Sequence, residues 1–100
     1  MSKHAVIGLT RNMAVDYAME NIRVNAVCPG LINTDLTSHL FRSYARGDIE
    51  KLKEDLLKSY PVGRMGTPEE VANVVAFVAS DEASYMFGSI VVVDGGRTAR

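Results

Sequence analysis

Cysteine is nearly absent from this sequence. Cys28 is the single one among 100 residues, so no disulfide can form within the chain, and a reducing compartment is the expectation. Long apolar runs are missing too: the longest, Gly88 to Val93, falls far short of the roughly 20 residues a helix needs to span a bilayer, and no membrane is expected as a partner. The opening Met-Ser-Lys-His-Ala-Val-Ile-Gly carries neither the apolar core nor the small-residue cleavage site of a secretory signal, which makes the cytoplasm the expected location. There is no basic excess. With a formal charge of -1 and no run of lysines and arginines or cluster of stacking aromatics, nucleic acid is not an expected partner. His4 and His39 stand alone, without metal-ligand spacing to Cys28, so no metal site is expected. No G-x-G-x-x-G occurs to cradle a pyrophosphate at a helix N-terminus, and there is no internal repeat.

What is present is ordinary globular composition, 47% hydrophobic and 23% charged, at the length of one domain, residues 1–100. Ser2 to Glu20 contains no proline, and its apolar residues recur at Ala5, Leu9 and Met13 and again at Ile7, Ala14 and Ala18. That spacing predicts a helix with more than one buried face, its polar stripe confined to Asn12, Asp16 and Glu20. A β-prone run, Arg23 to Gly30, ends in Pro29-Gly30 and reads as a strand. The polar stretch from Leu31 to Tyr60 reads as a loop followed, after Gly47, by a surface helix carrying Ile49, Leu52 and Leu56. Thr67-Pro68-Glu69-Glu70 is a helix start: threonine caps, proline takes the first helical position, and Glu70 returns a bond to the Thr67 backbone. That helix is predicted to run to about Ala79, with Val71, Val74, Val75 and Val78 as its apolar stripe. A last strand, Ser89 to Asp94, holds Ile90-Val91-Val92-Val93 without alternation, as suits a parallel sheet covered on both faces. Helix, strand, helices, strand is an α/β pattern.

Several segments in this order, Ser2-Lys3-His4-Ala5-Val6-Ile7-Gly8, then Ile22 to Pro29-Gly30 with Ile32-x-Thr34, then Arg64-Met65-Gly66-Thr67-Pro68-Glu69-Glu70, then Asp94-Gly95-Gly96, resemble the short-chain dehydrogenase/reductase family. The resemblance covers nearly the whole chain. It implies the C-terminal portion of a Rossmann-like, doubly wound parallel sheet, and an NAD- or NADP-dependent oxidoreductase that interconverts an alcohol and a ketone or aldehyde by hydride transfer.

By that resemblance Lys3 matches the family's catalytic lysine, which lowers the pKa of a tyrosine four residues earlier and holds the nicotinamide ribose hydroxyls. Pro29 and Gly30 end a strand at its carboxyl edge, where ligands lie in open α/β sheets. The resemblance puts the backbone of Ile32 against the nicotinamide carboxamide, and the Thr34 hydroxyl against the carboxamide or pyrophosphate; Thr34 also reads as a simple loop cap. Leu36, Leu40, Phe41 and Tyr44 fall in the stretch that closes over substrate in the family, and also at positions that suit packing of a short helix. Asn25 reads as a buried amide satisfied by neighbouring backbone, Cys28 as a small hydrophobe, and Asp94-Gly95-Gly96 as a strand-ending turn. Phe87 departs from the threonine usual in the family at its position.

The matching tyrosine would lie two positions before Met1, and the family's glycine loop and catalytic asparagine and serine earlier still. The expectation is therefore a fragment without turnover on its own. The alternative is a non-catalytic chain that pairs with full-length relatives. The family's subunit contacts also imply a homo-oligomer, formed through the first helix and the last helix and strand.

Overall fold

The proline-free opening stretch forms helix α1, Ser2–Tyr17, in this computed structural model, and tightens into a 3₁₀ turn at Ala18–Glu20. Asn21 ends it with a left-handed backbone, φ 60°, and returns its N–H to the Ala18 carbonyl at 2.9 Å. Asparagine tolerates that conformation better than most residues. The remaining elements are strand β1 at Ala26–Pro29, helices α2 at Asp35–Tyr44, α3 at Ile49–Leu57 and α4 at Pro68–Ala79, and strand β2 at Ile90–Val93, with 3₁₀ turns at Asp81–Ala83 and Arg97–Ala99. The α/β character expected from sequence is observed, and β1 and β2 pair in parallel. The structure describes residues 2–45 and 47–99, the side chains of Ser2 and Lys3 excepted. Among the described residues no helix is long and apolar enough to cross a membrane.

The chain divides into two compact units: one contains the chain up to Cys28 with Ala72–Val92, the other Pro29–Val71 with the stretch from Val93 onward. In the first, small side chains set the packing. Ala14 and Ala83 are each 2% exposed, and a Cβ placed on Gly88, whose φ is +79°, would sit 3.2 Å from that of Ala14. Here α1 meets the turn before β2 through residues with little side chain, which excludes bulkier ones. The buried Thr10 hydroxyl donates to the Val6 carbonyl at 2.7 Å and so satisfies itself within the helix. Within this unit one face of α1 is covered, and Val6 is 53%, Leu9 59% and Val15 77% exposed. Contact through small residues covers one narrow stripe, and among the described residues of the unit nothing reaches the rest.

Arg23 closes the C-terminal end of α4. Its guanidinium donates to the carbonyl of Val78 at 2.7 Å, in the last turn of the helix, and to those of Ser80 and Ala83, both at 3.0 Å, in the turn that follows. The amide of Asn25 donates to the Met86 carbonyl at 3.0 Å and accepts from the Ser89 N–H at 2.9 Å, the satisfied role expected of it. The predicted strand from Arg23 shortens accordingly. Its ladder starts where Ala26 N–H reaches the Ser89 carbonyl at 2.9 Å; before it the Val24 carbonyl accepts from Gly88 N–H at 2.8 Å, while Arg23 and Asn25 are engaged through their side chains.

In the second unit the predicted surface helix is α3, started by the Asp48 carboxylate, which accepts from the Lys51 N–H at 3.0 Å. The stretch before it is not only loop. Thr34 caps α2, which brings Leu36, Leu40, Phe41 and Tyr44 onto a regular helix, and Phe41 is buried at 5% exposure with the Lys53 ammonium 5.7 Å from its ring centre. After β2 the Asp94 carboxylate accepts from the N–H groups of Gly96 and Thr98, both at 3.0 Å, and from the Thr98 hydroxyl at 2.6 Å. These bonds, the hydroxyl's foremost, hold its carboxyl below the ordinary value.

Candidate functional site

Gly30 N–H donates to the Val93 carbonyl at 2.9 Å as β1 ends. A Cβ on Gly30 would lie 2.9 Å from the Cα of Asp94 and 3.1 Å from the Tyr60 ring, so the strand end requires glycine for close packing before any ligand is considered. Pro29, beside it, is exposed.

The next three residues make an isolated parallel bridge to Gly66. Gly66 N–H donates to the Leu31 carbonyl at 2.9 Å, and Asn33 N–H donates to the Gly66 carbonyl at 2.9 Å. Because successive groups along an extended backbone point to opposite edges, this pattern turns the N–H and carbonyl of Ile32 away from Gly66. The Ile32 carbonyl is taken by the Thr37 hydroxyl at 2.6 Å. Among the described residues no acceptor meets the Ile32 N–H. The bridge therefore presents one backbone donor at a fixed direction.

Thr34 supplies the complementary group. Its hydroxyl oxygen accepts from the Thr37 N–H at 3.2 Å and lies 3.0 Å from the Thr37 hydroxyl. The single hydroxyl proton of Thr37 is used on the Ile32 carbonyl, so in the contact between the two hydroxyls Thr34 is the donor. One lone pair on the Thr34 oxygen stays open as an acceptor. The loop-cap role and a ligand role for Thr34 are thus compatible, and the segment Ile32–Thr34 offers a donor and an acceptor together. That is what a primary amide needs, since its carbonyl accepts and its NH₂ donates.

Behind the bridge stands an ion pair. Arg64 donates through Nη1 to Glu70 Oε1 and through Nη2 to Glu70 Oε2, both at 2.9 Å, and Nη1 also reaches the Met65 carbonyl at 3.0 Å. Glu70 Oε1 accepts in addition from Thr67 N–H at 2.9 Å, while Glu70 N–H donates to Thr67 Oγ1 at 3.1 Å, the reciprocal capping arrangement predicted for α4. The Arg64 hydrogen bonds foremost, then the Thr67 amide, bring the Glu70 carboxyl down to about 2. The same pairing raises Arg64.

Of the residues expected to close over substrate, Leu40, Phe41 and Tyr44 line one cleft of about 260 Å³ with Leu31, Thr37, Leu52 and Leu56, between α2 and α3. Its walls are apolar apart from Tyr44 and Thr37, and the Thr37 hydroxyl is already bonded. Leu36 is 67% exposed and does not line this cleft. Gly30 and Ile32 line a smaller hollow of about 70 Å³ with Tyr60, Arg64, Gly66 and Asp94 among others. The backbone of Lys3 lies in the first turn of α1, and its side chain lies outside the described residues. Cys28 is a half-buried free thiol, and among the described residues no group of three or more His, Cys, Asp or Glu side chains could hold a metal ion. Sequence reasoning named neither Thr37 nor Gly66 as site residues. Thr37 had no signal beyond its spacing from Thr34, whereas Gly66 lay within the segment Arg64–Glu70 that carries the family resemblance but was given no role of its own.

Residues 1–98 match the sequence family described as Enoyl-(Acyl carrier protein) reductase. Oxidoreductase UcpA of Salmonella typhimurium is 43% identical over 98 residues, which is 98% of this chain and 37% of that protein. A short chain dehydrogenase family protein from Francisella tularensis superimposes with a TM-score of 0.93 at 37% identity, covering 99% of this chain and 42% of the other. A putative 2-deoxy-D-gluconate 3-dehydrogenase from Agrobacterium tumefaciens, solved with NADP bound, superimposes with a TM-score of 0.83 at 40% identity, covering 98% of this chain and 37% of the other. The chain thus spans a little over a third of the length of the curated relative.

Proposed function

The chain belongs to the short-chain dehydrogenase/reductase family, and on that footing we propose that it supplies the nicotinamide-contacting segment of an NAD- or NADP-dependent oxidoreductase interconverting an alcohol and a ketone or aldehyde. The observation that carries this is the donor and acceptor pair at Ile32 and Thr34. Ile32 N–H suits the carboxamide oxygen and Thr34 Oγ1 its NH₂ group, while Thr37 and Gly66 hold the two in place by bonds on their other sides. Bound there, the nicotinamide would supply or accept the hydride. Lys3 takes its place by family resemblance, as the ammonium that bonds the nicotinamide ribose and stabilises the proton-transferring group. Pro29-Gly30 brings the backbone to the strand's carboxyl end, where a cofactor lies in this class of sheet.

The cleft between α2 and α3 supports a substrate whose body is apolar around its reacting carbonyl, since its walls offer almost no uncommitted hydrogen-bonding group. A homo-oligomer formed through α1, α4 and β2 is part of the same reading, and the exposed Val6, Leu9, Val15, Val75 and Val92 favour it. The experiment is a titration of the chain with NADH and NADPH followed by cofactor fluorescence. Saturable binding of one of them, weakened at least about tenfold by Lys3→Ala, is expected from the loss of a charged hydrogen-bonding group. Lack of binding by both, or indifference to that substitution, would contradict the assignment.

A further inference from the structure

Every bond that holds the Ile32 segment from behind ends on Gly66, and Gly66 sits within a turn closed by Arg64 and Glu70. The order of contacts is short. Glu70 Oε1 accepts from both Arg64 Nη1 and Thr67 N–H, Glu70 Oε2 accepts from Arg64 Nη2, and Arg64 also ties the Met65 carbonyl. The residues on either side of Gly66 are therefore fixed by one carboxylate and one guanidinium. Gly66 in turn grips Leu31 and Asn33 through its N–H and carbonyl. A Cβ at Gly66 would lie 2.8 Å from Ile32 Cδ1, so the Ile32 side chain packs over the Gly66 backbone in space that a side chain at 66 would need.

We propose that Glu70 and Arg64 are positioning residues for the Ile32 amide: together they lock the Arg64–Thr67 turn, the turn locks the bridge, and the bridge aims the unpaired Ile32 N–H. A surface ion pair ordinarily contributes little, since both side chains surrender freedom in high dielectric. This one differs in geometry. It is bidentate, and its carboxylate also caps α4, so rotating Glu70 away would free the fork and the Thr67 N–H in one movement. Arg64 and Glu70 bond the turn around Gly66 and not Ile32 itself. Their effect is on the direction of a backbone donor, which binding rewards only when it is already aligned.

The inference rests on the nicotinamide-contacting reading for its consequence but not for its test. Amide hydrogen exchange on the whole chain, residue by residue, reads the clamp directly. Glu70→Gln and Arg64→Lys should each speed exchange at Asn33 and Gly66 by about tenfold, as expected for losing a charge-assisted bidentate contact, and leave Gly30, bonded to Val93 in the same unit, unchanged. The exchanged pair, Arg64→Glu with Glu70→Arg, restores opposite charges but removes the acceptor for Thr67 N–H, and it should fail to restore protection. If all amides of the unit speed up together, or if the exchanged pair restores Asn33, the clamp is wrong and the pair is general stabilisation. NADH and NADPH titration of the same variants separates the two claims. Faster exchange at Asn33 with no cofactor binding by the parent chain sustains the clamp and sinks the nicotinamide reading; binding that is unaltered by faster exchange sinks the positioning role alone.

Discussion

The side chain of Asn25 and the backbone of Ser89 are joined across 64 residues of sequence by a 2.9 Å bond from the Ser89 N–H to Asn25 Oδ1, immediately before the two strands begin to pair. The Asn25 amide uses its other end on the Met86 carbonyl. Both groups would otherwise be half-buried and unsatisfied, so this residue fixes the register at which β1 meets β2. Asn25→Asp should cost about 1–3 kcal/mol, because a carboxylate keeps the bond to Ser89 but cannot donate to Met86. Urea unfolding checks this; a variant as stable as the parent would show that the register is set elsewhere.

Glu70 makes a prediction with a definite pH window. Its folded carboxyl is drawn down to about 2 from an ordinary 4.5, chiefly by its bonds to Arg64. A group whose folded value is depressed stabilises the fold above its unfolded value, and that contribution is lost as pH falls from about 4.5 toward 2. Unfolding midpoints measured at pH 7 and pH 3 should fall further for the parent than for Glu70→Gln. Equal falls would mean that Glu70 does not hold its proton-free form through the ion pair.

The two ends of the expected substrate stretch should behave differently. Phe41, 5% exposed, belongs to the packing of α2 on α3, and Phe41→Ala should destabilise by about 3–5 kcal/mol. Leu36, 67% exposed, should change stability by less than about 0.5 kcal/mol on truncation to alanine. Thermal unfolding of both variants distinguishes them, and a large loss from Leu36→Ala would place that residue in a core the structure does not show.

The apolar residues left open on α1 predict self-association. Static light scattering across a concentration series should show mass rising above that of one chain, and Leu9→Glu, at a position 59% exposed, should reduce it. A concentration-independent monomer would remove the homo-oligomer from the account.

How far the sequence could be read depended on whether a signal was local. The α4 start was legible because threonine, proline and glutamate carry their roles within four positions, and the structure shows both reciprocal bonds. Asn25 was legible as a satisfied amide, though not its partners, which lie far along the chain. Helix α2 was half missed because Thr34 was weighed between cap and ligand contact, and a cap implies a helix whose residues alternate in chemistry too freely to announce it. The Arg64 to Glu70 fork and the bridge from Gly66 to Ile32 were not legible. The separation of six positions from Arg64 to Glu70 permits that ion pair without requiring it, and a pairing between separate segments leaves no periodic trace.

The central claim is that the unpaired Ile32 N–H meets a nicotinamide carboxamide. Two-dimensional ¹H–¹⁵N spectra of the labelled chain, titrated with NADH or NADPH and in parallel with ADP-ribose, test it most directly, because ADP-ribose lacks the nicotinamide ring. The expected result is a saturable shift of the Ile32 amide proton with one reduced cofactor and none with ADP-ribose. An Ile32 amide that stays in place with both cofactors, or that moves equally with ADP-ribose, would contradict the account.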